Sequence, residues 1–321
     1  MSGMQTKNGK AFEYACLKSL QALLPAAQGA QIKETAQLET ARRSFHTAPA
    51  SLRDKLEKAA SAAARVIARL EPQIEFPGSS APLCLSLQSD ARGQGGDVRD
   101  VICSRAQNEW EIGFSCKHNH HAVKHSRLSA KIDFGAAWFG LPCSREYFGA
   151  IAPLFDELQA IRESSNAAAL WSSVERKNER FYMPALRAFM DELARLDAAN
   201  PGAVPERLIR YLVGKNDFYK IIADDSRRTT RIEAVNISGT LNRPAGGRHS
   251  IANVARLKLP TQFHDVSFKA NSETTIALVC DEGWSVSMRI HSASSRVEPS
   301  LKFDVNLISL PNTIHAQVEP W

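Results

Sequence analysis

The amino-acid sequence predicts an α/β fold, with a mixed sheet flanked by helices and a β-rich C-terminal region. Three observations predict it. Apolar residues recur at helical spacing near the N-terminus, strand-like runs lie between Leu83 and Lys117, and the chain turns rich in Thr, Val, Ile and Ser after Ile221.

Taken in order, a first helix is predicted from about Gly9 to Leu24. Phe12, Cys16, Leu20, Leu23 and Leu24 recur at helical spacing, and Pro25 stops it. Ile32 to Leu70 is dense in Ala, Glu, Lys and Arg and predicts two surface helices broken at Pro49. Pro72 and the run from Pro77 to Pro82 close this helical block. Leu83 to Gln88 alternates like a strand, and a flexible Gly-rich segment, DARGQGG, follows. Val98 to Ser104 and Trp110 to Lys117 predict a hairpin turning near Gln107 and Asn108. His120 to Lys131 has a helical pattern, and longer helices are predicted at Arg145–Ser164, Ala167–Arg180 and Pro184–Ala198. The NPGAVP segment, Asn200 to Pro205, reads as a hinge, which divides the chain into residues 1–205 and a β-rich region, 206–321.

Composition narrows the functional classes. With 321 residues, 44% hydrophobic and 23% charged, the chain is expected to be a soluble globular protein. It has no apolar run of membrane-spanning length, and its start, MSGMQTKNGKAFEY, is not a secretory signal; a cytoplasmic location is expected. Six cysteines without CxxC spacing predict buried thiols in a reducing compartment rather than a disulfide framework or a zinc ribbon. A net charge of +6 permits a polyanionic partner without proving one.

The chemistry concentrates in Gly95 to Lys117, where an acidic residue on one strand of the hairpin faces a strand ending in lysine. Asp100 and Lys117 converge if the hairpin diverges near its end. Phosphodiester hydrolysis needs that pairing. A carboxylate holds Mg²⁺, and an ammonium steadies the attacking water or the developing phosphate charge. The main-chain carbonyl of Cys116 is a further hard ligand. Asp97 competes for the metal role, but Asp100 is preferred because an apolar residue leads directly from it into the strand. By spacing alone, a solvated turn and an edge-strand charge explain the same residues.

The pattern resembles the PD-(D/E)XK nuclease superfamily in its GGxxD…xxK form. More closely, KNGKAFEYACL (Lys7–Leu17), GGDVRDV (Gly95–Val101), FSCKHNHHAVKHSRLS (Phe114–Ser129) and DFG with Trp138 resemble the HaeIII-type restriction endonucleases. That resemblance implies a restriction-endonuclease-like fold, with a nuclease domain in residues 1–205 and a contribution to DNA recognition from 206–321. It implies a type II enzyme cutting within GGCC in double-stranded DNA, with Mg²⁺ as cofactor and a DNA methyltransferase of the same specificity as its functional pair. A palindromic site predicts a homodimer, although monomeric cutters exist. One residue departs from the pattern. The superfamily normally places an acidic residue or glutamine two before the lysine, and here that residue is Ser115. Glu13 on the first helix is the preferred replacement; Glu111 lies roughly 13 Å from Ser115 along a regular strand, too far without a bend. The departure keeps alive an inactive DNA-binding protein of the same fold, and a nuclease for RNA or damaged DNA is the second alternative.

Beside the lysine, Asn119, Lys124, His125, Arg127 and Lys131 are expected to meet DNA phosphates and set register. His121 and His125 have helical spacing for zinc, but no further ligands stand at suitable positions. A second basic region, Lys215 to Lys258, includes Lys220, Arg231, Arg243 and Arg248; Arg243 and Arg248 flank a glycine turn suited to a groove and to guanine edges.

Overall fold

In chain order the helices are α1 (Ser2–Leu23), α2 (Ala36–His46), α3 (Ala50–Leu70), α4 (Arg145–Glu163), α5 (Met183–Ala199) and α6 (Ala203–Val213). The first strands are β1 (Ala30–Ile32), β2 (Leu83–Leu87), β3 (Val101–Arg105), β4 (Trp110–His118), β5 (Lys124–Leu128) and β6 (Phe218–Asp224). The remainder are β7 (Thr229–Val235), β8 (Phe263–Phe268), β9 (Thr275–Cys280), β10 (Ser285–Ser292), β11 (Leu301–Ser309) and β12 (Ala316–Pro320). These come from a computed structural model that describes residues 2–24, 29–75, 82–89, 97–106, 109–119, 124–164 and 169–321. Pro25, the DARGQGG segment, the hairpin turn at Gln107 and Asn108, and His120 and His121 lie outside the described residues.

The expected mixed sheet is present, but the boundary at residue 205 is not where the structure divides. One unit comprises Met1–His121, Gly214–Leu257 and Thr313–Trp321; the other comprises Ala122–Val213 and Lys258–Asn312. The β-rich stretch is therefore shared between units, because strand pairing rather than chain order decides where each strand goes.

The first unit is a seven-stranded sheet in the order β1-β2-β3-β4-β6-β7-β12. β1 pairs parallel with β2 and β4 with β6; the other neighbours are antiparallel. α1 packs on β2, β3 and β4, and α3 on β6, β7 and β12. Phe12, Leu17 and Leu20 of α1 and Leu83, Leu85, Phe114 and Tyr219 of the sheet fill the core between them. The break near Pro49 is real. Thr35 caps α2 by accepting the Leu38 N–H at 3.1 Å, and Pro49 stands at the start of α3, where its missing N–H costs nothing. The expectation of two surface helices fails for α3, which buries Ala59, Ala60, Ala63, Ala64, Val66 and Ile67. Small side chains let this helix lie close against the sheet.

The second unit pairs a five-stranded antiparallel sheet, β5-β11-β10-β9-β8, with α4, α5 and α6. Aromatic rings join the layers: Phe134 lies 4.7 Å from Phe189, Phe189 5.3 Å from Phe303 on β11, and Trp138 stacks on Tyr211. Two expected helices are corrected here. Lys124–Leu128 is a strand, with Ser126 and Leu128 buried, Arg127 exposed and β11 antiparallel alongside. In place of a helix over Ala167–Arg180, the described part holds a 3₁₀ turn at Trp171–Ser173 and a wide turn at Asn178–Tyr182. The NPGAVP hinge is a helix–helix turn within this unit, reversing at Gly202 with φ 81°. No helix among the described residues is long and apolar enough to cross a membrane.

Glu71, at the end of α3, is fully buried and accepts the Tyr219 hydroxyl and the Asn242 N–H, both at 2.7 Å, on one carboxyl oxygen. Its other oxygen has no partner. Burial outweighs the two bonds and pushes its pKa up to about 7. Its ionisation therefore weakens the fold progressively as pH rises from the unfolded-state value, about 4.3, to about 7. Glu71→Gln should gain on the parent by about 2 kcal/mol between pH 5 and pH 8 in urea denaturation. A pH-independent offset would show that Glu71 carries its charge without penalty.

Candidate active site

Where β3 begins, the chain is pinned from both sides. The Asp100 N–H donates to the Phe114 carbonyl at 2.7 Å, and the Gln88 N–H donates to the Asp100 carbonyl at 2.9 Å. The registered β3–β4 pairing stops at Val101 opposite Phe114, while β4 runs on to His118. The Cys116 N–H, beyond that last rung, donates instead to Asp100 Oδ2 at 2.7 Å. The same oxygen receives Lys117 Nζ at 3.3 Å and lies 3.5 Å from Ser115 Oγ. The convergence expected from sequence is thus present: Asp100, Ser115 and Lys117 meet at one carboxylate.

Glu13 joins them electrostatically from α1. It is 7% exposed and its Oε2 accepts from Lys10 at 3.0 Å. Burial first, and the negative charge of Asp100 second, push its pKa up to about 7 against the pull of Lys10 and Lys117. Lys117 responds oppositely. Burial works against its charge, but Asp100, Cys116 and Glu13 outweigh burial and hold its pKa above the ordinary lysine value. The Cys116 thiol bonds to Cys16 of α1, and that bond and burial raise its pKa far up. Cys116 therefore serves the site through its main chain.

Asp97 is a correction. Arg99 grips both its oxygens, Nε to Oδ1 at 2.8 Å and Nη2 to Oδ2 at 2.7 Å, and Asn216 adds a bond at 3.1 Å. Burial opposes the Asp97 charge, yet these bonds keep its pKa below the usual aspartate value. The third guanidinium nitrogen of Arg99 pairs with Glu111 at 2.8 Å. Both acids that sequence weighed beside Asp100 and Ser115 are held by one arginine. Gly113 makes room for it, because a Cβ there would stand 2.1 Å from Arg99 Cδ.

The expected DNA-contacting residues scatter. Asn119, at φ 52°, uses its own amide locally: Oδ1 accepts the Asp225 N–H at 3.0 Å and Nδ2 lies 3.3 Å from His118 Nε2. That turn role, not a DNA contact, is what its geometry supports. Arg127 is exposed and bonded to Glu298 and Ser300. Lys131, Arg243 and Arg248 are exposed; the side chains of Lys124 and His125 lie outside the described residues. Arg243 lines a cavity of about 290 Å³ with Lys215, Asn216 and Trp110. Among the described residues no group of three His, Cys, Asp or Glu is placed to hold a metal, so the His121–His125 zinc idea gains no support. Sequence grouping missed Lys220, taken there as part of a basic surface; it is 6% exposed on β6, opposite Ser115. The available signal was a lysine interrupting the apolar run of FYKIIAD, Phe218–Asp224.

A mixed sheet with an aspartate at a strand start, a lysine two residues beyond its rung and a buried helix glutamate defines an endonuclease of the PD-(D/E)XK class. The model of the HaeIII restriction endonuclease family matches residues 9–311. The type II restriction enzyme HaeIII of Haemophilus aegyptius is 39% identical over 321 residues, covering 100% of this chain and 99% of that protein. No solved structure matches the chain. The chain belongs to the HaeIII restriction endonuclease family, and it is a site-specific deoxyribonuclease.

Gly113→Ala should force Arg99 off Asp97 and Glu111 and destabilise the protein by about 1–3 kcal/mol, read as a lower midpoint in thermal melting. Parental stability in that variant would show that Arg99 relaxes freely.

Proposed function

We propose that the chain cuts double-stranded DNA within GGCC by Mg²⁺-assisted hydrolysis centred on Asp100 and Lys117. The observation that carries this is the convergence of the Cys116 N–H and the Lys117 ammonium on one Asp100 oxygen, beside the buried Glu13 carboxyl. The donor set suits Mg²⁺. Asp100 and Glu13 are hard oxygens, and every described bond to the Asp100 carboxylate falls on Oδ2. Two carboxyls close enough for one to raise the other's pKa are where a divalent cation relieves repulsion. A site with so few protein ligands also fits a small cation that keeps several waters and takes others from phosphate.

In this reading Asp100 and Glu13 hold the ion, with the Cys116 carbonyl as a third oxygen. The bound ion supplies charge neutralisation at the phosphate and lowers the pKa of water. Lys117, fixed by Asp100 and kept charged by the surrounding acids, steadies the attacking water and the charge growing on the phosphate oxygens. Ser115 contributes its hydroxyl to Asp100 in place of a metal-binding acid. Glu13 gives up its proton when the ion arrives. The exposed cations Arg127, Lys131, Arg243 and Arg248, together with Lys124 and His125, would meet DNA phosphates, and Arg243 and Arg248 would read guanine edges. Residues 206–321 contribute recognition. A palindromic target is met by a homodimer; a methyltransferase of equal specificity protects the host DNA in the cytoplasm.

Plasmid digestion with Mg²⁺ and with EDTA, followed by sequencing of the cut ends, tests this directly. Asp100→Ala and Lys117→Ala should each lose about 100-fold or more in cleavage while still shifting a GGCC duplex in a gel. Full cutting by either variant, or digestion of RNA alone in a mixed substrate panel, would overturn the reading.

A further inference from the structure

Lys220 stands directly opposite Ser115 on the neighbouring parallel strand, one strand over and two residues along from Lys117. Residues on one rung of a sheet share a face, and so do residues two apart on a strand. Ser115, Lys117 and Lys220 therefore occupy one face. So does Glu233 of β7, the next rung partner of Lys220. Glu233 is 6% exposed and its Oε1 accepts Arg231 Nε at 2.6 Å. A row of charges thus crosses three strands from β4 to β7, on the face that leads from Asp100.

The row bears on how Lys117 chooses its partner. Its ammonium has two carboxylates on its face, Asp100 on one side and Glu233 on the other, with β6 between. Lys220 fills the gap on the Glu233 side. Burial holds the Lys220 pKa below the ordinary lysine value; Glu233 acts against that, and the charges of Lys117 and Arg231 add to it. The electrostatic influence of Lys117 on Lys220 puts the two amines within reach of each other.

We propose that Lys220 is a positioning residue for DNA cleavage: its charge, set against Glu233, turns the Lys117 ammonium toward Asp100 and limits how tightly the site takes a cation. This rests on the reading of Asp100 and Lys117 as the reacting centre. Like charges repel most where water is excluded, so a second ammonium on the β6 side leaves Asp100 as the favoured partner of Lys117. The same charge opposes any cation held by Asp100 and Glu13. It stands opposite Ser115, where the superfamily pattern has an acid. An acid there would pair with Lys220 and cancel it; serine leaves its charge acting on the site.

The test uses the full chain with Lys220→Gln and Lys220→Arg, and Asp100→Ala as the control. Lys220→Gln should lose about 10-fold or more in kcat, with GGCC duplex affinity in EDTA within about threefold of the parent. Ca²⁺ binding without DNA, followed by titration calorimetry, should tighten by about 3-fold or more, since a repelling charge is gone. A merely structural lysine would weaken or leave unchanged that affinity. Lys220→Arg, which keeps the charge, should stay near parental in both measurements. Parental kcat in Lys220→Gln, or unchanged or weaker Ca²⁺ binding in it, overturns the proposal. Should Lys220→Gln fail to melt cooperatively, Lys220→Arg decides: loss of kcat with folding intact overturns the proposal, and parental kcat supports it. Cutting by Asp100→Ala instead overturns the underlying reading of the centre, whatever Lys220 does.

Discussion

The site depends on a single main-chain donor, the Cys116 N–H, that has left its strand ladder. A paired amide is bound to its neighbour and offers nothing to a carboxylate. Because the registered rungs of β3 and β4 end at Val101 and Phe114, the next inward N–H on that edge turns to Asp100 Oδ2 at 2.7 Å. A bond from a main-chain amide to an ionised carboxylate is short and directional. It fixes the rotation of Asp100, and the lysine one residue later then reaches the same oxygen. One rung more of pairing would close this edge and leave Asp100 without its donor.

Around that bond the charges are arranged in opposition. Asp100 and Glu13 raise the local negative potential enough to lift the Glu13 pKa to about 7 and to hold Lys117 charged despite burial. Neighbouring acids that would confuse the centre are occupied: Asp97 and Glu111 both close on Arg99, which lies across the bare backbone of Gly113. The absence of a side chain at Gly113 is thus connected to the selection of Asp100, because it gives the arginine a place to lie.

Much of this was legible in the sequence, for definite reasons. The hairpin and the Asp100–Lys117 pairing follow from period-two alternation and spacing, which are local properties. The break at Pro49 follows from the chemistry of proline. What was not legible depends on partners distant in sequence. Lys124–Leu128 looked helical because its charged residues also fit a helical spacing; β11, more than 170 residues later, makes it a strand. The boundary at residue 205 failed because β12 returns to pair with β7 at the far end of the first sheet. Asp97 could not be assigned from spacing, since Arg99 was equally compatible with a solvated turn. Lys220 was grouped with surface charges although its apolar neighbours already signalled a buried strand.

Ser115 then appears in a different light from a simple loss. An acid at that rung would stand between Lys117 and Lys220 on the same face and would compete with Asp100 for the ammonium. With serine there, the competition disappears, and the second carboxyl comes from α1, which reaches the centre across the core. The helix delivers Glu13 in a buried, partly protonated state, so its negative charge becomes fully available only when a cation is present to meet it. Moving an acid from strand to helix therefore keeps the number of carboxylates while changing when they are charged, and that timing follows from burial alone.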